Sequence, residues 1–241
     1  MAIAFDSGGT VGTLNNPVTS ITYSFTNTAG DFLSVGVLTI AGKSITGVTY
    51  NGVSMTKIGG IASFGNQPLN IELWGLSSPA TGAHNVVVSM TPSGPIYSTA
   101  MSHSGTKTSG QPDSFNTGYN ASNVSSLAVS TTVVDSNCWL IGLATGDNGN
   151  NPSAGSGTTQ RSTIAVDSYM ALFDSNGTVG TGPQTLNFAF SPNQHPGAVV
   201  ASIAPATSST SIKTINGLAI ASVKTVNGLA IASVKTVNGL A

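Results

Sequence analysis

The chain has 241 residues, a formal net charge of −1 and only 6% charged side chains. Without a cluster of Lys or Arg to neutralise phosphates or anionic headgroups, the expectation is no nucleic-acid binding, and no run of about 18 apolar residues predicts membrane insertion. At 39% hydrophobic residues the sequence can close a core despite its 29 glycines.

Strand signals run from start to finish, as short stretches rich in Val, Ile, Thr and aromatics between Gly, Pro and Asn clusters, and no long segment has helical periodicity. Val18 to Thr26 alternates Val18, Ser20, Thr22 and Ser24 with Thr19, Ile21, Tyr23 and Phe25. That pattern predicts a strand buried on its aromatic side. Phe32 to Ile40 is dense enough for a central strand, and Tyr50-Asn51-Gly52-Val53 predicts a two-residue hairpin. Further strands are expected at Leu69–Leu76, Asn85–Thr91, Ile96–His103, Ser126–Val134, Cys138–Thr145, Ser168–Asp174, Thr185–Phe190 and Ala198–Ala204. The sum predicts an all-β, two-sheet jelly-roll-like β-sandwich over residues 1–204, with polar crossovers at Gly105–Asn123 and Gly146–Gly157.

Residues 205–212 read as a polar linker, and 213–241 as an iterated tail. Lys213-Thr214-Ile215-Asn216-Gly217-Leu218-Ala219 returns at Lys224 to Ala230, with Asn227, Gly228 and Leu229, and at Lys235 to Ala241, with Asn238, Gly239 and Leu240. In this eleven-residue period each Asn-Gly can close a hairpin, so that Val226 faces Leu229 and Thr225 faces Ala230. Repeats this short cannot cover their own aliphatic side chains. The tail is therefore read as an assembly element pairing with copies of itself, a homotrimer being favoured, or docking on another protein.

Candidate chemistry is sparse. Single Glu72 has no acidic partner at strand spacing for glycoside hydrolysis, no G-x-S-x-G elbow occurs, and His103 with Asp113 is the nearest approach to a triad. Asp147 and Asn148, and Asp174 and Asn176, put oxygen atoms on tight turns where calcium could sit, although Asp-x-Asn-Gly is also plain turn chemistry; no other cofactor is expected. Trp74 and Trp139 lie in apolar runs and read as core, whereas Tyr50 and Tyr119 are the aromatics best placed to touch a ligand such as a glycan. Cys138 reads as a buried, inert thiol.

The iterated Lys-Thr-aliphatic-Asn-Gly units at Lys213, Lys224 and Lys235 resemble the tails of tailed-phage virion proteins and bacterial surface proteins. Val48 to Val53, Glu72 to Leu76 and Pro79 to Gly82 are similar to jelly-roll modules of such proteins. The resemblance implies a non-enzymatic structural role, as a capsid decoration or fibre component that docks on other virion or surface proteins, and supplies no catalytic residue. The alternative it allows is a carbohydrate-binding module of a phage or bacterial adhesin. The first residues carry no leader pattern, which fits a virion protein made in the host cytoplasm and released by lysis, with an extracellular or cell-surface site as the alternative.

Overall fold

The computed structural model describes residues 1–206 apart from 65, 67, 148–150 and 165–169, and, in the tail, residues 214–215, 218–219, 225–226 and 229–230. Every element it describes is a strand, and the pairings are antiparallel. Two compact units result, Met1–Ala206 and Thr207–Ala241. Pro205 and Ala206 belong to the first: Pro205 bridges Thr106, and the Ala206 N–H donates to the Gly105 carbonyl.

The first seven strands are β1 (Ala4–Asn27), β2 (Phe32–Ile40), β3 (Ser44–Tyr50), β4 (Val53–Ser54), β5 (Thr56–Phe64), β6 (Leu69–Ser77) and β7 (Gly82–Ser104). Strands β1 and β7 pair along nearly their whole lengths, from Ala4 against Ser104 to Asn27 against Gly82. The leading part of β7 also pairs with β3, and its trailing part with β2. Strand β2 then pairs with β6, β6 with β5, and β3 with β4. The chain is thus an antiparallel ribbon rolled into two facing layers, which is the jelly-roll pattern. Its tightest turn is the expected hairpin: Tyr50 pairs with Val53, and Asn51 and Gly52 take φ of 50° and 76°. These left-handed values suit Asn and Gly and match the twist of the flanking strands.

One sandwich was expected, and the unit contains two. Strands β8 (Ser114–Tyr119), β9 (Val124–Val133), β10 (Trp139–Thr145), β11 (Ser153–Ala154), β12 (Thr159–Ile164), β13 (Met170–Asp174), β14 (Gly182–Gln194) and β15 (Gly197–Ile203) repeat the same roll. The order β12-β13-β10-β15-β8 reproduces β5-β6-β2-β7-β1, and β11-β14-β9 reproduces β3-β7-β1. The register makes the equivalence residue by residue. Tyr23 opposes Val86 as Val129 opposes Leu186, and Val35 opposes Trp74 as Gly142 opposes Phe173. Even the bulge recurs, between Lys57 and Gly59 in β5 and between Gln160 and Ser162 in β12. Close packing is shared too: a side chain at Gly12 would strike the Tyr23 ring, and one at the equivalent Gly118 would strike Val129.

Three apolar layers follow. Ile21, Tyr23, Phe25, Val35, Tyr50, Val86 and Val88 fill the first sandwich, and Val129, Leu140, Phe173, Leu186, Phe188 and Val200 the second. Between the sandwiches, Phe32, Leu73, Tyr97 and Met101 meet Trp139, Ile141, Leu172 and Val199. This middle layer explains why β2, β10 and β15 read as near-continuous apolar runs: each is covered on both faces. Burial of each large side chain is worth roughly 1.5–3 kcal/mol, so the middle layer binds the halves strongly. The halves meet through an approximate two-fold relation, since β5 lies against β8 as β12 lies against β1, and β6 against β10 as β13 against β2.

Four segments departed from expectation. Strands β8 and β11 lie inside the spans read as the Gly105–Asn123 and Gly146–Gly157 crossovers, and β12 and the leading part of β1 were not anticipated. Each is an edge or outer strand whose polar residues carry little period-2 signal. Asn85–Thr91 and Ile96–His103, read as two strands, are one element, β7.

In the tail, β16 (Thr214–Ile215) pairs with β17 (Leu218–Ala219), and β18 (Thr225–Val226) with β19 (Leu229–Ala230). Thr225 opposes Ala230 and Val226 opposes Leu229, the register that Asn-Gly hairpins require. Leu218 and Leu229 therefore lie on short ladders. The other proposed assembly residues, Lys213, Asn216, Gly217, Lys224, Asn227, Gly228, Lys235, Asn238, Gly239 and Leu240, lie outside the described residues.

Candidate functional site

The densest polar constellation in the body lies where the two halves meet. His103, at the end of β7, donates from Nε2 to Asp174 Oδ2 at 3.1 Å, and Arg161 Nε donates to the same oxygen at 2.7 Å. The other carboxylate oxygen accepts the Asn176 N–H at 2.9 Å, while Arg161 Nη2 reaches Asn176 Oδ1 at 2.6 Å. His103 and Asp174 are fully buried, and the His103 ring is edge-packed against Phe5 and Trp139. The Arg161 guanidinium lies over Phe5, 4.4 Å from its centroid. Burial alone would push the Asp174 carboxyl up, but the hydrogen bonds and charge of His103 and Arg161 outweigh it and hold the group below the usual carboxylate range.

A second buried carboxylate has the same bridging role. Asp147, just after β10, accepts the Asn66 N–H at 2.7 Å, the His195 N–H at 3.0 Å and His195 Nδ1–H at 2.9 Å. Asn66 belongs to the β5–β6 turn of the first half and His195 to the β14–β15 turn of the second. Here too burial opposes ionisation, and the backbone and imidazole donors prevail to lower the carboxyl. Both sites are struts between the sandwiches.

These struts show what the residues read as calcium ligands do in the fold. Asp174 and Asn176 are committed to Arg161 and His103, and a fixed guanidinium within hydrogen-bond distance repels a cation. Asp147 accepts three N–H groups, from Asn66 and His195; Asn148 lies outside the described residues. Tyr50 is likewise no ligand contact. It is wholly buried, its ring edge-on to Phe25 and His84, and its hydroxyl donates to the Gly82 carbonyl at 3.0 Å. The side chain preceding an inward-facing hairpin turn belongs to the core. Tyr119, by contrast, is 60% exposed at the end of β8.

His103 and Asp113 are not brought together. Asp113 instead accepts Ser202 Oγ–H at 2.9 Å and the Val134 N–H at 2.8 Å, which fixes the start of β8. Glu72 takes Lys57 Nζ at 2.6 Å and Trp74 Nε1 at 3.0 Å. Asp6 accepts the Thr28 and Ala29 N–H groups, Asp31 the Gly105 N–H, and Asp135 the Lys107 ammonium. Every carboxylate among the described residues is thus engaged in an internal bond. Among those residues no three His, Cys, Asp or Glu side chains group as metal ligands. Trp74 and Trp139 are core, as their apolar runs imply.

Cys138 is fully buried, its thiol donating to the Asp135 carbonyl at 3.2 Å. Desolvation and then the negative charges of Asp113 and Asp135 push the thiol up to about 12. At pH 8 only about one thiol in ten thousand would be ionised. A disulfide reagent at pH 8 is therefore expected to leave the native chain unmodified and to label Cys138 stoichiometrically once urea has unfolded it. Rapid labelling of the folded protein would show that the thiol is reachable.

Sequence reasoning missed Phe115. It shares with Tyr119 the face of β8 turned toward β5, where a side chain at Gly59 would come within 3.0 Å of its ring, and at this sheet edge it is 53% exposed. The signal available was Ser114-Phe115-Asn116-Thr117-Gly118-Tyr119, a polar stretch with aromatic residues four positions apart and therefore on one face of a strand. No family model, curated protein or solved structure matches the chain.

Proposed function

We propose that this chain is a non-enzymatic structural protein, a virion component such as a capsid decoration or fibre element, in which a rigid double sandwich is carried on a self-associating β tail. The observation that carries the reading is the eleven-residue repeat with its hairpin register, attached to a body whose described carboxylates all serve internal bonds. An enzyme acting by acid–base or metal chemistry needs ionisable groups left poised at a cleft. Here the Asp174 and Asp147 carboxyls, which are lowered, and the Cys138 thiol, which is raised, are interior and each held in an internal hydrogen bond. The charge-poor surface suits repeated contact between copies because such contacts owe little to ionic strength.

Purified chain examined by electron microscopy and light scattering tests this reading. The expected result is a homo-oligomer, a trimer first, that retains its mass in 1 M salt. A strict monomer at high concentration would sink the assembly role.

A further inference from the structure

We propose that a cleft beside the leading end of β3 binds a small aliphatic carboxylate, its anion held by Lys43 and its hydrocarbon resting on isoleucines. The site stands apart from the assembly role, because every residue in it belongs to the first sandwich.

The cleft has a volume of about 320 Å³ and lies between β3 and the paired strands β5 and β6. It is lined by the ionisable side chains of Lys43, Lys57 and Glu72 and by the aliphatic ones of Ile45, Ile61, Ile71 and Ala62. Two of the three charges have a structural reason. Glu72 accepts Trp74 Nε1–H at 3.0 Å and Lys57 Nζ–H at 2.6 Å. By register the second half carries Ala171, Phe173 and Gln160 at the positions of Glu72, Trp74 and Lys57. Phenylalanine needs no acceptor, and there the ion pair is gone.

Lys43 has no such reason. It is partly buried at the turn between β2 and β3, yet its ammonium makes no hydrogen bond or ion pair among the described residues. The other three basic side chains of residues 1–206, Lys57, Lys107 and Arg161, each meet a carboxylate. Taking an ammonium part-way out of water without a counter-charge is unfavourable, and a bound anion offsets that cost. Lys43 is also fixed in advance. Asn70 Nδ2 donates to the Lys43 carbonyl at 3.0 Å and to the Ile40 carbonyl at 3.3 Å, which ties the turn to β6. The Lys43 stem lies over Gly94, where an added side chain would come within 3.0 Å of Cε. A group held in place before its ligand arrives loses less entropy on binding.

The lining selects the ligand. Lys43 and Lys57 against Glu72 leave a surplus positive charge, and Lys57, 47% exposed, keeps N–H donors beyond the one given to Glu72. That surplus favours an anion. No aromatic ring lines the cleft, so its apolar part suits a flexible hydrocarbon rather than a stacked sugar or base. At roughly 30 Å³ per non-hydrogen atom the volume takes about ten such atoms, the size of a medium-chain fatty carboxylate.

The test is calorimetric titration of the intact chain with hexanoate, hexan-1-ol, hexylamine and inorganic phosphate. Saturable binding of hexanoate is expected with a millimolar or tighter Kd, the other three binding about tenfold more weakly or not at all. Lys43→Met keeps the stem and removes the charge. It should leave the thermal midpoint unchanged, weaken hexanoate about tenfold and leave hexan-1-ol as it was. No saturable binding of hexanoate, equal affinity for the alcohol or the amine, or a Lys43→Met variant that titrates like the wild type overturns the proposal. So does phosphate binding as tightly as hexanoate, which would leave the isoleucines without a part.

Discussion

Replacing Asp174 with alanine is expected to cost about 3–5 kcal/mol of stability, read as a lower urea midpoint at pH 7, because it strands the Arg161 charge and the His103 donor in the interior. The duplicated fold also indicates the remedy. By register Asp174 corresponds to Gly75, His103 to Ile203 and Arg161 to Ile58. The seam is therefore polar on one side and apolar on the other, within one molecule. The triple replacement His103→Ile, Arg161→Ile and Asp174→Gly is expected to be more stable than Asp174→Ala alone, since removing a whole buried ionic cluster avoids an unpaired charge. A triple variant less stable than the single would mean that the charges themselves hold the halves together.

The same cluster sets the acid response. The Asp174 and Asp147 carboxyls are lowered in the folded state, so the folded state binds fewer protons than the unfolded one as pH falls. Their stabilisation is complete above the unfolded value of about 3.9 and is lost as pH drops from there through the folded values. The wild-type urea midpoint should accordingly fall between pH 5 and pH 2, and Asp174→Asn should flatten that slope. An unchanged slope would remove Asp174 from the acid transition.

Much of the fold was legible because its signals are local. The aromatic side of β1, the apolar density of β2 and the Asn51-Gly52 turn each depend on the period-2 pattern or on φ preferences. The duplication was also written in the chain. Thr81-Gly82 precedes buried Val86, Val88 and Met90 and then Thr91-Pro92, while Thr181-Gly182 precedes buried Leu186, Phe188 and Phe190 and then Ser191-Pro192, one hundred residues on. Likewise Val18, Ser20, Ser24 and Thr26 reappear as Val124, Ser126, Ser130 and Thr132. The identities are few because the repeat preserves burial and backbone geometry more than residue type, unlike the near-identical units of the tail. Nothing local could show that His103 meets Asp174 and Arg161, since that contact arises only when the halves dock. Tyr50 misled for a related reason: proximity to a turn does not say which face the preceding residue takes.

If the tail assembles the chain as proposed, substituting valine at Gly217, Gly228 and Gly239 is expected to leave single chains of about 24 kDa, and ending the chain after Ala206 to leave single, lighter chains. With Thr225 against Ala230 and Val226 against Leu229, a two-residue hairpin turn at Asn-Gly would require left-handed φ at its centre. Valine strongly resists that conformation, since its branched Cβ meets the backbone. The period of eleven makes the turn indispensable: an odd period along one extended strand would put successive Leu218 and Leu229 on opposite faces, whereas a reversal at each Asn-Gly keeps the pattern in step. With turns intact, each repeat carries Ile or Val and Leu side chains that two-residue ladders cannot cover, and neighbouring copies can. The truncated body should still unfold cooperatively, since residues 1–206 contain all three apolar layers. Light scattering on the three proteins reads the result. A mass near three 24.0 kDa chains for the intact protein, with single-chain masses for both variants, is expected. One mass common to all three would place the contacts between copies on the double sandwich and leave the repeats to dock on a different protein.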